Sequence, residues 1–119
     1  MTVRVLIVDD QEPFRLAARM VVDATDGFEV VGEAPDGESA LVEVARLHPD
    51  LVLLDVQLPD IDGFAVAARL TVDPDAPVII LVSSRDFTDF GPLVSRSGAR
   101  GFVPKAELSG ERVQELLAA

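Results

Sequence analysis

The 119-residue chain contains no cysteine, tryptophan or tyrosine, and it has a single histidine. Without cysteine it can form neither disulfides nor thiolate metal sites, which is typical of cytosolic proteins. No stretch approaches the roughly 18 consecutive apolar residues of a membrane span. The first residues also lack the charged and then apolar segments of a secretory signal. We therefore expect a cytoplasmic protein that does not interact with a membrane.

Basic residues are also scarce, because 10 Lys and Arg stand against 21 Asp and Glu and give a net charge of −11. Such a surface repels phosphate backbones, so we expect no direct binding of nucleic acid by this chain. The acidic surface favours divalent cations and basic partner patches, or it serves solubility alone. A length of 119 residues suits one domain with one core, which we assign to residues 1–119.

Short apolar runs and helical periodicities alternate along the chain. The runs predict strands over 3–8, 28–34, 51–54, 78–82 and 101–103. The periodicities predict helices over 12–22 and 37–47, and others that begin near Asp62, near Pro92 and after Ser109. Gly91 and Pro92 interrupt segment 85–98, so its helix should be short. Five β-α units with continuous apolar strands predict an α/β fold with an open, doubly wound sheet of parallel strands.

Helix ends and faces can be predicted from the same patterns. Asp36 and Ser109 are of the residue types that cap helix N-termini, so they should cap the second and fifth helices. The third helix is expected to bury Phe64, Ala67 and Ala68.

Polar residues follow four of the five strands. They are Asp9 and Asp10 after the first strand, Asp55 after the third, Ser83 after the fourth and Lys105 after the fifth. Each alone has an ordinary explanation as a turn, cap or surface residue. Because the carboxyl ends of parallel strands meet at one edge of a sheet, we expect these side chains to share one pocket.

The chemistry of this set points to a metal and a phosphoryl group. Carboxylates this close repel one another, and a divalent cation relieves the repulsion. Oxygen ligands without His or Cys favour Mg²⁺, with Mn²⁺ or Ca²⁺ as alternatives. Lys105 and Ser83 could contact phosphoryl oxygens beside a carboxylate nucleophile.

The motifs "LIVDD", "LVLLDVQLPDIDG", "VIILVSS" and "GARGFVPK" occur in this order. Together they resemble the response-regulator receiver domain of two-component signalling, and the resemblance covers essentially the whole chain. The last motif is most similar to receivers that precede a helix-turn-helix DNA-binding domain. The resemblance implies a flavodoxin-like (βα)5 sheet with strand order 2-1-3-4-5. It implies a signalling switch rather than an enzyme, with at most slow self-phosphorylation and self-dephosphorylation.

The resemblance also implies a role for each polar position. Asp55 would be the phosphoacceptor. The implied metal ligands are Asp9, Asp10, Asp55 and the backbone carbonyl of Gln57. The implied phosphoryl-contacting or switch residues are Ser83, Lys105 and Phe102, of which Phe102 would change its rotamer.

The partners follow from the same resemblance. A sensor histidine kinase would donate the phosphoryl group. The surface of the fourth helix, fifth strand and fifth helix would then change, and it could also form a homodimer. The output would be transcription through a DNA-binding domain that is not present in this chain.

One departure from the family and three alternative functions stay open. Many receivers carry a cis proline directly after the lysine; a cis bond before Ala106 would cost roughly 2.5–4 kcal/mol. A receiver-like binding module that is not phosphorylated is the main alternative. A flavin mononucleotide carrier would need a hydroxyl-rich loop where "DDQE" stands, and aromatic residues for stacking. A phosphatase with an Asp nucleophile usually has a second Asp where Gln57 stands.

Overall fold

The structure is a computed structural model, and it describes residues 2–85 and 89–119. The strands are β1 (Val3–Val8), β2 (Phe28–Ala34), β3 (Leu51–Asp55), β4 (Val78–Ser83) and β5 (Gly101–Pro104). The helices are α1 (Glu12–Asp23), α2 (Gly37–Leu47), α3 (Gly63–Leu70), α4 (Pro92–Arg96) and α5 (Gly110–Ala118), and a 3-10 turn spans Lys105–Glu107. The strands are all parallel and form one sheet in the order β2-β1-β3-β4-β5. The predicted fold class and strand order are confirmed.

The sheet has an apolar core on each face. Alternate side chains of β1, β3 and β4 enter opposite cores, which is why these strands read as continuous apolar runs. One core lies under α2, α3 and α4 and includes Leu6, Leu54, Val66, Leu81 and Val94. The other lies under α1 and α5 and includes Ile7, Ala18, Leu53, Ile80 and Val113. Since the central strands are buried on both faces, the residues at their ends have well-defined positions.

The predicted helix caps are confirmed. The Asp36 carboxylate accepts a hydrogen bond from the Ser39 N–H at 2.8 Å, and the Ser109 hydroxyl accepts one from the Arg112 N–H at 3.1 Å. Helix α4 is short and begins at Pro92, as predicted. Residues 86–88 of the segment expected to hold that helix lie outside the described residues.

The predicted inner face of α3 is wrong in part. Ala67 is fully buried and Phe64 packs partly against the core, but Ala68 is exposed and Val66 is buried in its place. Seven of the eight residues of α3, GFAVAARL, are apolar or glycine, so periodicity could not determine which face packs on the sheet.

Both edge strands are irregular or short. The register of β1 with β2 shifts after the Val5–Val30 pair, since the next residue, Leu6, pairs with Gly32. Strand β5 has only four residues and ends in Pro104. Within the described part of the chain every peptide bond is trans, and no helix is long and apolar enough to cross a membrane.

Candidate functional site

The polar residues that follow the strands meet at one edge of the sheet. Asp55 is the last residue of β3 and pairs in register with Val82, directly before Ser83 at the end of β4. Ser83 in turn pairs with Pro104, directly before Lys105. Asp9 follows β1, which pairs with β3 in parallel. The parallel register therefore brings together the groups that lie far apart in the sequence.

Three carboxylates form a tight cluster at this edge. One carboxylate oxygen from each of Asp9, Asp10 and Asp55 lies within 4.8 Å of the other two. Asp9 is fully buried and Asp55 is 4% exposed, whereas Asp10 is exposed. Two members of the cluster are thus buried at the strand ends, and the third is in contact with solvent.

The surroundings of Asp55 change its acidity. Burial raises the pKa of the Asp55 carboxyl to about 6, and the negative charge of Asp9 adds to this effect. The Gln57 N–H, which donates to Asp55 Oδ1 at 3.2 Å, and the Lys105 ammonium group both oppose the rise in pKa. Because the resulting pKa lies below 7, Asp55 is mainly a carboxylate at neutral pH and can act as a nucleophile.

Lys105 is the only lysine of the chain, and it lies against this cluster. Its Nζ is 2.6 Å from Asp9 Oδ2 and 3.4 Å from Asp55 Oδ2, and its side chain is 14% exposed. The same Nζ lies over the Phe14 ring, 4.6 Å from the ring centroid. The ammonium group is therefore held between two acids and an aromatic face.

One buried oxygen of the cluster tests whether a metal fits. Asp9 Oδ1 accepts a hydrogen bond from the Gln11 N–H at 2.8 Å. Asp9 Oδ2 forms the ion pair with Lys105, but no described residue gives it an aligned hydrogen bond. A buried carboxylate oxygen without such a bond is costly. Three carboxylates and one ammonium group carry −3 + 1 = −2 when ionised, so this oxygen-only set fits one hard divalent cation.

A network from α1 and β2 fixes the end of β1. Arg15 donates from Nη1 to the Asp9 carbonyl at 2.7 Å, and its Nε pairs with Glu33 at 3.1 Å. Arg19 also pairs with Glu33, at 2.6 Å, and these two arginines lower the pKa of Glu33. The Asp9 N–H donates to the Ala34 carbonyl at 3.0 Å. The backbone of Asp9 is thereby held from two neighbouring elements.

The loop over residues 56–62 packs closely against the acceptor strand. The Gly63 N–H donates to the Val56 carbonyl at 2.7 Å. A Cβ on Gly63 would overlap the Asp55 carbonyl oxygen and lie 2.7 Å from Val56 Cα. Only glycine leaves room here for the backbone that carries Asp55.

Asp60 joins this loop to α2. Its carboxylate accepts hydrogen bonds from the N–H groups of Gly37 and Ile61 at 2.8 Å and of Glu38 at 2.9 Å. The backbone hydrogen bonds, from Glu38 first and then Gly37, lower the pKa of Asp60. Asp60 thus caps the N-terminus of α2, although it lies in the loop before α3.

Ser83 and Phe102 lie beside the acid cluster rather than in it. Ser83 is fully buried, and its hydroxyl accepts a hydrogen bond from the Arg85 N–H at 3.1 Å. Phe102 is 7% exposed, so its ring faces the core. That ring lies 5.7 Å from the Phe90 ring, which in turn lies 5.3 Å from the Phe64 ring. Gln57 is exposed in the loop after Asp55.

Three residues of this site were not predicted from the sequence as functional. They are Phe14, Arg15 and Asp60, which none of the sequence patterns marks as functional. Their positions soon after the acid pair or the acceptor strand were a signal. However, each residue also has a partner that is distant in sequence, namely Lys105, Glu33 or the start of α2.

Comparison with known proteins identifies the family. A sequence model described as the response regulator receiver domain matches residues 5–117. The chain is similar to a Pseudomonas aeruginosa protein named as a transcriptional regulator, with 43% identity over 87% of this chain and 50% of that protein. It is 39% identical to protein-glutamate methylesterase/protein-glutamine glutaminase 5 of Myxococcus xanthus, over 96% of this chain and 33% of that protein.

The solved structures agree with this result. A two-component response regulator of the LuxR family from Aurantimonas sp. SI85-9A1 superposes with a TM-score of 0.88 and 28% identity, over 99% of this chain and 84% of that one. The fold and the acid cluster define a doubly wound α/β domain with a candidate cation site at one sheet edge. The chain belongs to the response regulator receiver domain family. It spans half or less of the length of the two curated relatives.

Proposed function

We propose that residues 1–119 form a receiver domain that accepts a phosphoryl group on Asp55 from a sensor histidine kinase. The observation that carries this proposal is the position of Asp55. It is a nearly buried carboxylate at the end of a central strand, inside a cluster suited to a divalent cation and 3.4 Å from Lys105. No turn or helix cap requires this combination.

The proposed transfer uses these residues directly. A carboxylate oxygen of Asp55 forms a bond to phosphorus as the N–P bond of a phosphohistidine breaks, and the electron pair of that bond stays on the imidazole nitrogen. Lys105, already at the cluster, neutralises charge on the phosphoryl oxygens. Mg²⁺, or Mn²⁺ in its place, would supply further positive charge to those oxygens. It would be held by Asp9, Asp10, Asp55 and the Gln57 carbonyl.

The acyl phosphate would then act as a switch. Its oxygens would attract the Ser83 hydroxyl, which now accepts a hydrogen bond from the Arg85 N–H. Phe102 lies in the neighbouring strand, two residues before the Pro104 that pairs with Ser83. It would respond through its contact with Phe90. The populations of the conformations of the surface formed by α4, β5 and α5 would then shift. The same surface could also pair two copies. A relative named as a transcriptional regulator supports a transcriptional output through a domain outside this chain.

Intact mass after incubation with acetyl phosphate and Mg²⁺ tests the proposal. We expect the mass of one phosphoryl group to be gained, and lost in Asp55→Asn and in a metal-free sample. Asp62→Asn is the matched control, because Asp62 is an exposed acid that caps α3 from the same loop. A domain labelled neither by acetyl phosphate nor by phosphorylated histidine kinases would instead be a receiver-like binding module.

A further inference from the structure

We infer that Phe14 is a positioning residue for Lys105, and this inference rests on the proposed function of the site. Phe14 lies in the first turn of α1, and its ring is 4.6 Å from Lys105 Nζ. The two residues are 91 positions apart in sequence, since 105 − 14 = 91. An ammonium group over an aromatic face is attracted by the negative charge of that face.

Phe14 itself has little freedom to move. It packs partly against the core under α1 and α5. The next residue, Arg15, is held by the Asp9 carbonyl and by Glu33. The ring is therefore a rigid surface at the side of the acid cluster, placed by the same helix that follows the acids of β1.

Lys105 needs such a surface because its own element does not hold it. It is the first residue of a single 3-10 turn after a strand of four residues. Its other contacts at Nζ are the carboxylates Asp9 and Asp55, which would gain new partners once a cation or phosphoryl group is present. The Phe14 ring has no hydrogen-bonding atom and does not compete for those partners. It can thus keep the ammonium group in place before and during transfer.

Preorganisation of this kind acts on the rate of transfer. A cation–π contact at a partly exposed site is worth about 0.5–1 kcal/mol, which corresponds to about 2–5-fold in rate. Phe14→Leu keeps an apolar side chain but removes the ring, so we expect labelling of Asp55 by acetyl phosphate to slow by about that factor. Phe14→Tyr keeps the ring and should restore the rate.

The single lysine provides a readout that does not depend on phosphorylation. Protein labelled with ¹³C at lysine Cε gives one side-chain signal, and the ring current of Phe14 should displace its proton shift from the free-lysine value. Phe14→Leu should return the signal toward that value, and Phe14→Tyr should not. Phe28→Leu is the control, because Phe28 packs against the same core at the start of β2. It should change neither the signal nor the rate.

Each outcome decides the inference. Slower labelling together with a moved lysine signal, in Phe14→Leu only, supports it. A moved signal without a change in rate, or a change in rate without a moved signal, overturns it. An equal effect of Phe28→Leu also overturns it, because the effect would then be loss of core packing. If neither acetyl phosphate nor phosphorylated histidine kinases label the wild-type domain, the proposed function fails. An undisplaced lysine signal in the wild-type domain would separately refute the contact.

Discussion

Replacing Gly63 by alanine would test how strictly the structure fixes the acceptor strand. The new Cβ would lie 2.7 Å from Val56 Cα and 2.9 Å from the Asp55 carbonyl carbon, and it would overlap the Asp55 oxygen. These are backbone atoms, so no side-chain rotation relieves the clash. Real Cβ contacts are essentially never below 3.0 Å, so the Val56 contact alone requires a shift of at least 3.0 − 2.7 = 0.3 Å. The overlap with oxygen requires more.

The expected size of the effect follows from this displacement. Overpacking of a filled site typically costs about 1–3 kcal/mol in free energy of unfolding. Misplacing a reacting group by about 1 Å can reduce a rate by about 100-fold. We therefore expect Gly63→Ala to destabilise the domain by about 1–3 kcal/mol and to slow labelling of Asp55 by about 10-fold or more.

Two assays separate these effects. Urea unfolding gives the free energy, and intact mass against time gives the labelling rate under conditions where the variant is folded. Gly101→Ala is the control, because the three atoms nearest to its Cβ all belong to the flexible Leu116 side chain, the nearest at 2.8 Å. Gly101 lies at the opposite end of β5 from Lys105. Wild-type stability and rate in Gly63→Ala would refute the reasoning. Reduced stability with a wild-type rate would show that this contact does not set the acceptor geometry.

Three further predictions concern charge and ligands. Since the folded pKa of Asp55 is raised from 3.8 to about 6, the folded protein holds this proton more tightly than the unfolded chain. The contribution of this protonated carboxyl to the free energy of unfolding is present below about pH 4. It is lost as pH rises through about 6. Without metal, Asp55→Asn should therefore gain stability relative to wild type between pH 4 and 8, by about 3 kcal/mol. The check is the free energy of unfolding in urea measured against pH for both proteins; a constant difference between the two curves would contradict the prediction. Mg²⁺ should raise the wild-type unfolding free energy by about 2.7 kcal/mol at a hundred times its Kd, and a chelator should reverse the gain; a melting temperature independent of Mg²⁺ would argue against the site. Asp60→Ala should speed amide exchange at the first two N–H groups of α2, which Asp62→Ala should leave unchanged; equal exchange in the two variants would count against the link between loop and helix.

Much of the fold could be predicted because local patterns and global topology agree. The apolar runs of β1, β3 and β4 reflect burial on both sheet faces, and Pro92 marks the start of α4. The face of α3 could not be predicted, because a helix that is apolar nearly all round has no periodicity to show which side packs. Ala68 was therefore assigned to the core, although it is exposed.

The site was predictable to the extent that it depends on strand ends. Parallel topology alone brings Asp9, Asp55 and Lys105 together. The contact of Phe14 with Lys105 depends on side-chain directions across two distant elements, which no local pattern records. Aspartate is a common residue in ordinary turns. Only the structure shows that the carboxylate of Asp60 accepts hydrogen bonds from N–H groups at the start of α2.

The two edge strands bear on how this domain behaves at high concentration. Unpaired backbone at a sheet edge can recruit a strand from another molecule and start aggregation, and proteins suppress this with short, irregular, charged or proline-containing edges. Here the pairing of β2 with β1 is irregular and β2 carries Glu29 and Glu33, while β5 has four residues and ends in Pro104. Both edges are thus poor templates for strand addition. Association between copies is therefore expected to rest on side-chain contacts rather than on strand addition, so it could be regulated without extending the sheet.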